Sequence, residues 1–362
     1  MKFDIHFHML GNGKEITEVD EDVYLGMDDN HHWFTRILAN LLDKELKLMG
    51  ADFDKSGEIS TCEYLAFTYG LLATSEEIDA LVLLALDGVY EDGKLDKRKT
   101  DLMISNRFLS EKVKILNAHL QAEDDPKKRE KRFFFGASVS PNRKEDDLRQ
   151  ELAFVLEETD AVLMKLIPST QHIRLRNAGH KGFFEALRKA GMPLLCHVGP
   201  EYSFPEGIQN KQLDHFRHLE HPLDCGVTVI AAHCATPVFP VVDPNTTKDF
   251  LTFMKERNAG GRTRLYADTS ALSLATRTHL IPGIVKEFPP EWLVHGSDFP
   301  IPIDGWPHLP WVTHDMTPAE YTEIVRTKNP LDRDVRIKRA HGFSKTILEN
   351  AEKVLRLPKP PL

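Results

Sequence analysis

Two histidines, His6 and His8, stand one residue apart near the start of the chain, in the segment MKFDIHFHM. If this segment is a strand, both imidazoles point to the same face, because side chains alternate along a strand. The apolar residues around them would then face the opposite way: Phe3, Ile5, Phe7 and Met9. Neutral imidazole is a good ligand for Zn²⁺ and related divalent metals. The pair therefore predicts part of a metal site.

Four more polar side chains stand at or just beyond the ends of apolar runs: Lys165, His197, His233 and Asp298. The strands of a parallel barrel deliver their carboxyl ends to one rim, where active sites form. Taken singly, His233 is typical of a hydrogen-bonded core histidine, and Asp298 of a turn residue before Pro300. Burying all four would be costly without a shared partner. Together with His6 and His8, they indicate a set of metal ligands.

The elements that must position these side chains are short apolar runs separated by amphipathic stretches. Eight runs predict strands: Phe3–Met9, Ala80–Leu86, Phe133–Val139, Ala161–Ile167, Pro193–Val198, Val227–His233, Leu265–Thr269 and Trp292–Gly296. Eight strands alternating with helices, such as Asp147–Glu158 and Gly182–Ala190, predict an α/β fold, the (β/α)₈ TIM barrel. The first two intervals between strands are too long for one βα unit, so helical insertions should follow strands 1 and 2. We expect one barrel over residues 1–362, with insertions at 30–75 and 90–132.

Composition narrows the class of partner. The chain has 362 residues and a net charge of −9, which argues against nucleic acid or an anionic membrane surface as a partner. The longest apolar run is too short to cross a bilayer. The four cysteines show no metal-binding or disulfide spacing, which favours a reducing cytoplasm, and the first strand begins too early to leave room for a signal peptide. We expect a cytoplasmic protein with a small-molecule substrate, either monomeric or a homo-oligomer.

The first insertion contains a second motif, because residues 52–63, DFDKSGEISTCE, match the calcium loop of an EF-hand. Its ligands would be the side chains of Asp52, Asp54, Ser56 and Glu63, the backbone carbonyl of Glu58, and Ser60 through a water. No partner loop is evident, and an acidic turn between two helices is the alternative. If the following helix, Glu63–Leu72, is the first barrel helix, the loop lies at the catalytic rim. If the preceding helix, Trp33–Met49, has that place, the loop lies at the opposite face.

The strand-end motifs DIHFH, MKLIP, CHVG, AHC and HGSDFP resemble the amidohydrolase superfamily. They are most similar to its amidohydrolase 2, or aminocarboxymuconate-semialdehyde decarboxylase-like, branch. The motifs follow the family's order over nearly the whole chain, and Ile347–Leu357 resembles the closing helix of that branch.

The resemblance implies that a divalent metal such as zinc contacts four residues: His6, His8, His197 and Asp298. It also implies that His233 is a general acid/base or a ligand to a second metal. The role of Lys165 depends on the number of metals. In a two-metal site a carbamylated Lys165 would bridge the metals, whereas in a one-metal site the lysine would not be a ligand. We favour one metal.

Three functions follow. The leading hypothesis is a hydrolase that uses a metal-activated water on a small amide, ester or lactone, with Asp298 and His233 as catalytic residues. The second is non-oxidative decarboxylation of a small aromatic or unsaturated acid at the same site. The third is a calcium-responsive binding protein without catalytic activity.

The substrate contacts are less defined by the sequence. Glu201 follows strand 5, and Arg174 and Arg176 follow strand 4, where arginines can clamp a substrate carboxylate. Solvated loop charges are the alternative for all three residues.

Overall fold

Eight parallel strands form the core of the molecule. The computed structural model describes residues 1–11, 13, 22–26, 60–261, 264–301 and 316–358. The barrel strands are β1 (Phe3–His8), β2 (Ala80–Leu84), β3 (Arg132–Ala137), β4 (Ala161–Leu166), β5 (Leu194–Cys196), β6 (Val229–Ala231), β7 (Leu265–Asp268) and β8 (Leu293–Val294). Each strand pairs with the next along the chain. The backbone after β8 returns to β1, because Asp298 N donates to His6 O at 2.8 Å and His8 N donates to Phe299 O at 2.9 Å. The result is a nearly closed TIM barrel.

All eight predicted strands are confirmed, with ends that differ by a few residues. Strands such as β2 and β4 are buried along their whole length. Strands covered on both faces need continuous apolar sequence, which is why these runs could be recognised. Alternate residues of a strand pack on opposite faces of the sheet. In β2, Val82 and Leu84 lie in the cluster inside the barrel, while Leu81 and Leu83 pack in the outer layer.

Strand β1 is irregular, because its register with β2 shifts between Asp4 and Phe7. Phe3 and Ile5 join the cluster inside the barrel, whereas Phe7 and Met9 pack in the outer layer. The prediction that these four apolar residues share one face is therefore wrong. A local shift of this kind changes which face a side chain takes, and a period-two pattern cannot show it.

Helices surround the strands, as expected for alternating elements. The α-helices are Thr61–Thr74, Asn106–Ala122, Pro126–Arg129, Glu145–Ala153, Lys181–Ala190, Pro205–Gln209, Glu220–Asp224, Thr247–Asn258, Ile281–Glu287, Pro318–Arg326, Pro330–Ala340, Thr346–Glu349 and Ala351–Val354. Helix Lys181–Ala190 buries Phe183, Phe184 and Leu187, and it ends at Gly191, whose φ of +63° is a left-handed cap. None of the helices in the described ranges combines the length and apolar character that a bilayer crossing requires.

The segment between β2 and β3 contains additional elements. A short hairpin pairs Tyr90–Glu91 with Lys94–Leu95, and strand Leu102–Ile104 pairs antiparallel with Val23–Leu25. Helix Asn106–Ala122 follows and packs on β3. These elements occupy most of the predicted insertion at 90–132.

Helix Thr61–Thr74 connects β1 to β2 and begins at the rim where β1 ends. The hydroxyl of Tyr64 donates to His8 O at 2.9 Å, and Gly13 N donates to the Thr61 hydroxyl at 3.2 Å. Glu63, the last residue of the predicted calcium loop, therefore lies on the carboxyl-terminal side of the barrel. Four other residues of the predicted calcium loop lie outside the described residues: Asp52, Asp54, Ser56 and Glu58. The predicted helix Trp33–Met49 also lies outside them.

Candidate metal centre

Three of the predicted ligands converge at the rim. His6 Nε2 lies 3.1 Å from His8 Nε2 and 3.1 Å from Asp298 Oδ1, and His8 Nε2 lies 3.3 Å from the same oxygen. His6 is fully buried, whereas the side chains of His8 and Asp298 are 14% and 10% exposed, so the group opens to solvent on their side. Two imidazole nitrogens and a carboxylate oxygen around one point are a donor set suited to a divalent metal.

Asp268, at the end of β7, orients the central histidine. Its Oδ2 lies 2.7 Å from His6 Nδ1, and both side chains are fully buried. Because a carboxylate only accepts, Nδ1 carries the proton and Nε2 keeps the lone pair. The His6 lone pair therefore faces His8 and Asp298. Asp268 was not predicted as a site residue, although it stands near the end of a predicted strand, as the predicted site residues do.

His233 is held in place by the same carboxylate. Asp268 Oδ1 accepts from His233 N at 2.8 Å, and the Ser270 hydroxyl contacts His233 Nδ1 at 2.8 Å and also Asp268. His233 Nδ1 lies 3.9 Å from Asp298 Oδ2. Both His233 and Asp298 have positive φ, 59° and 67°, a conformation that side chains other than glycine rarely adopt. Such backbone is found where a site fixes the position of a side chain.

His197 is not among the side chains that converge with His6, His8 and Asp298. Its Nδ1 is 3.2 Å from His233 Nε2 and 3.6 Å from Glu201 Oε2. Its Nε2 is buried and has no hydrogen-bond partner within the described part of the protein. A buried imidazole nitrogen without a partner is unusual and is consistent with a ligand that binds there.

Lys165, on β4, is fully buried and contacts the centre directly. Its ammonium donates to His6 Nε2 at 2.7 Å, and burial lowers its pKa. Lys165 Nζ therefore lies on the same nitrogen lone pair that a metal would use.

The charges around the centre suit a cation. Burial lowers the pKa of His8 and of His197 to about 4, so both are neutral at pH 7. Burial alone would raise the pKa of Asp298, but His233 and His6 hold it well below its ordinary value. Neutral imidazoles and ionised carboxylates are the protonation states that bind a divalent metal. Together with the unpaired His197 Nε2, the residues present fit such an ion.

The predicted substrate residues have different surroundings. Glu201 is buried, and its carboxylate accepts from Ser203 N at 2.5 Å as well as facing His197. Arg174 is exposed, and Arg176 pairs with Glu220 at 2.8 Å at the surface. The structure thus brings Glu201 to the centre and leaves the two arginines in contact with solvent.

Several solved structures are similar to the chain, while no curated protein matches it. An uncharacterised TIM-barrel protein from Bordetella bronchiseptica has 14% identity and a TM-score of 0.49, with 93% of this chain and 99% of that chain covered. A probable 2-pyrone-4,6-dicarboxylic acid hydrolase from Acinetobacter baumannii has 12% identity, a TM-score of 0.46 and coverage of 97% and 99%. A 5-carboxyvanillate decarboxylase from Sphingomonas paucimobilis has 13% identity, a TM-score of 0.42 and coverage of 93% and 98%.

One family model matches the chain itself. It is described as an amidohydrolase model, and it spans residues 117–357, about two thirds of the sequence. The match includes β3 to β8 with Lys165, His197, His233, Asp268 and Asp298. The chain belongs to the amidohydrolase family, a family of enzymes.

Proposed function

We propose that this protein is a metal-dependent hydrolase acting on a small amide, ester or lactone. The observation that carries the proposal is the convergence of His6, His8 and Asp298, with the His6 lone pair directed into the group by Asp268. A zinc ion or similar metal, when bound, lowers the pKa of a coordinated water to about 7 and polarises a carbonyl oxygen. We also assign His197 to the metal because its buried Nε2 is unpaired, although this nitrogen is not among the atoms that converge with His6, His8 and Asp298.

The two oxygens of Asp298 have different surroundings, which suggests separate tasks. Oδ1 faces His6 and His8, while Oδ2 faces His233 at 3.9 Å. Oδ2 is therefore the atom that can accept a proton from the attacking water and pass it to the leaving group. Burial holds the pKa of His233 well below its ordinary value, and its two ring nitrogens contact Ser270 and His197, so a hydrogen bond from His233 to substrate would replace one of these contacts.

Non-oxidative decarboxylation of a small aromatic or unsaturated acid remains the alternative activity, since it would use the same residues. One experiment separates the two. Metal-free protein is reconstituted with zinc or manganese and tested against esters, lactones, amides and carboxylic acids, with product analysis for water addition and for released CO₂. We expect hydrolysis that depends on the metal and is lost in His6→Ala. The exposed His119→Ala variant serves as the matched control. No turnover of any class at full metal occupancy would contradict the proposal.

The number of metals depends on Lys165. Lys165 Nζ lies 2.7 Å from His6 Nε2, on the lone pair that a metal would take, so a metal would have to displace this contact, and we propose that the lysine stays uncarbamylated beside a single metal. Metal analysis of protein purified without added metal should then give one equivalent per chain. Two equivalents, together with a carbamate mass on a peptide containing Lys165, would contradict this proposal.

Calcium binding by residues 52–63 stays a prediction of the sequence. Ser60 caps helix Thr61–Thr74, and Glu63 Oε2 accepts from Ser60 N at 3.3 Å. Glu63→Gln keeps an acceptor for this capping box and removes the charge that a calcium ligand needs. Calorimetric titration with calcium should therefore show heat for the wild type and much less for the variant. Equal heats from both proteins would remove the prediction.

A further inference from the structure

A buried ion pair lies on helix Pro330–Ala340, which follows β8 in the chain. Lys338 Nζ lies 2.6 Å from Asp334 Oδ2, one turn earlier on the helix, and the two side chains are 1% and 0% exposed. Asp334 also accepts from the Ser273 hydroxyl. Taking two charges out of water costs free energy that a well-packed apolar pair would not cost, so such a pair is weak evidence for a role in stability. The pair therefore calls for a functional explanation.

The ammonium of Lys338 also holds the backbone at the end of β8. Its Nζ donates to Gly296 O at 2.8 Å, two residues before Asp298. Gly296 lies directly against the metal centre, because a Cβ built at this position would lie 2.6 Å from His6 Cβ. The contact thus joins the helix to the short backbone segment that carries a proposed metal ligand.

The backbone at Asp298 adopts a rare conformation and is held from several sides. Its φ is +67°, which costs free energy in a residue with a side chain and persists only where surrounding contacts fix it. Ser297 N donates to Asp4 Oδ1 at 2.9 Å, and Asp298 N donates to His6 O at 2.8 Å. Both acceptors lie on β1, whereas Lys338 holds the preceding carbonyl from the helix. Losing the Lys338 contact should therefore let the Asp298 carboxylate move away from the other ligands.

We propose that Asp334 and Lys338 are positioning residues, which fix the Gly296 carbonyl and thereby keep Asp298 in the converging group. This inference rests on the proposed function, because it takes Asp298 as a metal ligand. Lys338 supplies the donor, and Asp334 supplies the opposite charge that allows an ammonium to be buried there.

Zinc affinity tests the inference without turnover. Asp334→Asn/Lys338→Met, the paired variant, removes both charges at nearly constant volume and keeps an acceptor for the Ser273 hydroxyl. No unpaired charge is left buried, so the variant should still fold. Replacing a residue that orients a metal ligand weakens metal binding by about 10- to 100-fold, and we expect about tenfold here by competition with a zinc chelator. The cobalt-loaded variant should also show altered visible absorption bands, since these bands depend on the ligand geometry.

The matched control is Lys131→Met, which removes another buried lysine that donates to backbone carbonyls. Lys131 Nζ donates to Ser75 O at 2.7 Å and to Ile78 O at 2.6 Å, in the segment that precedes β2. This contact lies at the opposite end of the barrel from the metal centre. The control should lower the melting temperature and leave the zinc affinity and the cobalt spectrum unchanged.

A double-mutant cycle shows whether the pair acts through Asp298. Asp298→Ala removes the carboxylate, so the paired variant should cause no further loss of zinc affinity in that background. A further loss of about tenfold there, or wild-type affinity in the folded paired variant, would overturn the inference. If thermal melts show that the paired variant does not fold, Asp334→Asn alone decides, because it keeps the Lys338 donor and removes the opposite charge. Zinc affinity equal to the wild type in Asp334→Asn would then overturn the inference.

Turnover separates this inference from the proposed function. With saturating zinc, we expect the paired variant to lose kcat, because Asp298 also accepts the proton of the attacking water, and Lys131→Met to keep it. A wild type that binds zinc but hydrolyses no ester, lactone or amide would contradict the hydrolase function, while weaker zinc binding by the paired variant would still support the positioning role. Metal-dependent hydrolysis by the wild type, with equal zinc affinity in both proteins, would do the reverse.

Discussion

Replacing Asp268 by asparagine tests whether this carboxylate controls metal binding through His6. The asparagine oxygen can still accept from His233 N and Ser270 N, which Asp268 Oδ1 now does at 2.8 and 3.0 Å. The amide NH₂ would then face His6 Nδ1, where Oδ2 now lies at 2.7 Å. To keep a hydrogen bond there, His6 must move its proton to Nε2. That shift removes the lone pair from the converging group.

The size of the effect follows from this single contact. A buried hydrogen bond to a charged group contributes about 1.5–3 kcal/mol. Since 1.4 kcal/mol is tenfold in affinity, Asp268→Asn should weaken zinc binding by about 10- to 100-fold. Burial alone would raise the pKa of Asp268, but His6 holds it below its ordinary value, so the carboxylate is ionised across the neutral range. The loss should therefore be independent of pH between about 6 and 8.

Competition with a zinc chelator measures this loss. The matched control is Asp332→Asn, a buried carboxylate that accepts from Glu76 N at 3.0 Å and Glu77 N at 3.0 Å, away from the centre. The control should lower stability and leave zinc affinity unchanged. Wild-type affinity in Asp268→Asn would refute the tautomer argument. A loss beyond about 10⁴-fold would refute it in another way, by making Asp268 a direct ligand beside His6 and His233.

Two further predictions concern a glycine and a buried acid. In Gly296→Ala, the new Cβ would lie 2.6 Å from His6 Cβ, so His6 must shift and zinc affinity should fall at least tenfold by chelator competition. Gly182→Ala, whose Cβ meets nothing within 4 Å in a helix, should bind zinc normally and gain about 0.5–1 kcal/mol. Burial, followed by the charge of Glu206, raises the pKa of Asp101 from 3.8 to about 7. Folded Asp101 thus holds a proton that the unfolded chain has lost across this range, so its contribution to the free energy of unfolding declines as pH rises. Urea unfolding should show Asp101→Asn gaining about 2–4 kcal/mol on the wild type between pH 4 and pH 8, and parallel pH curves would contradict the assignment.

The sequence alone was enough to predict the barrel and part of its centre. Parallel strands covered on both faces require continuous apolar runs, and eight such runs are visible along the chain. Because all parallel strands end at one rim, His6, His8 and Asp298 could be expected to meet there, and the structure brings them together. Strand burial and strand direction depend on residues that are close together in the sequence, so the sequence alone can predict them.

Only the tertiary structure decided what surrounds those ligands. The register shift in β1 depends on its pairing with β2. The alternation of residues along the sequence therefore could not predict which face of the strand Phe3 and Ile5 occupy. The contact of Asp268 with His6 joins residues 262 positions apart in sequence, and no local pattern predicts it. Periodicity predicts which residues are buried, but it does not predict which side chains come into contact across the barrel. Those contacts determine the positions of protons, the pKa values and the charges of the side chains at the site.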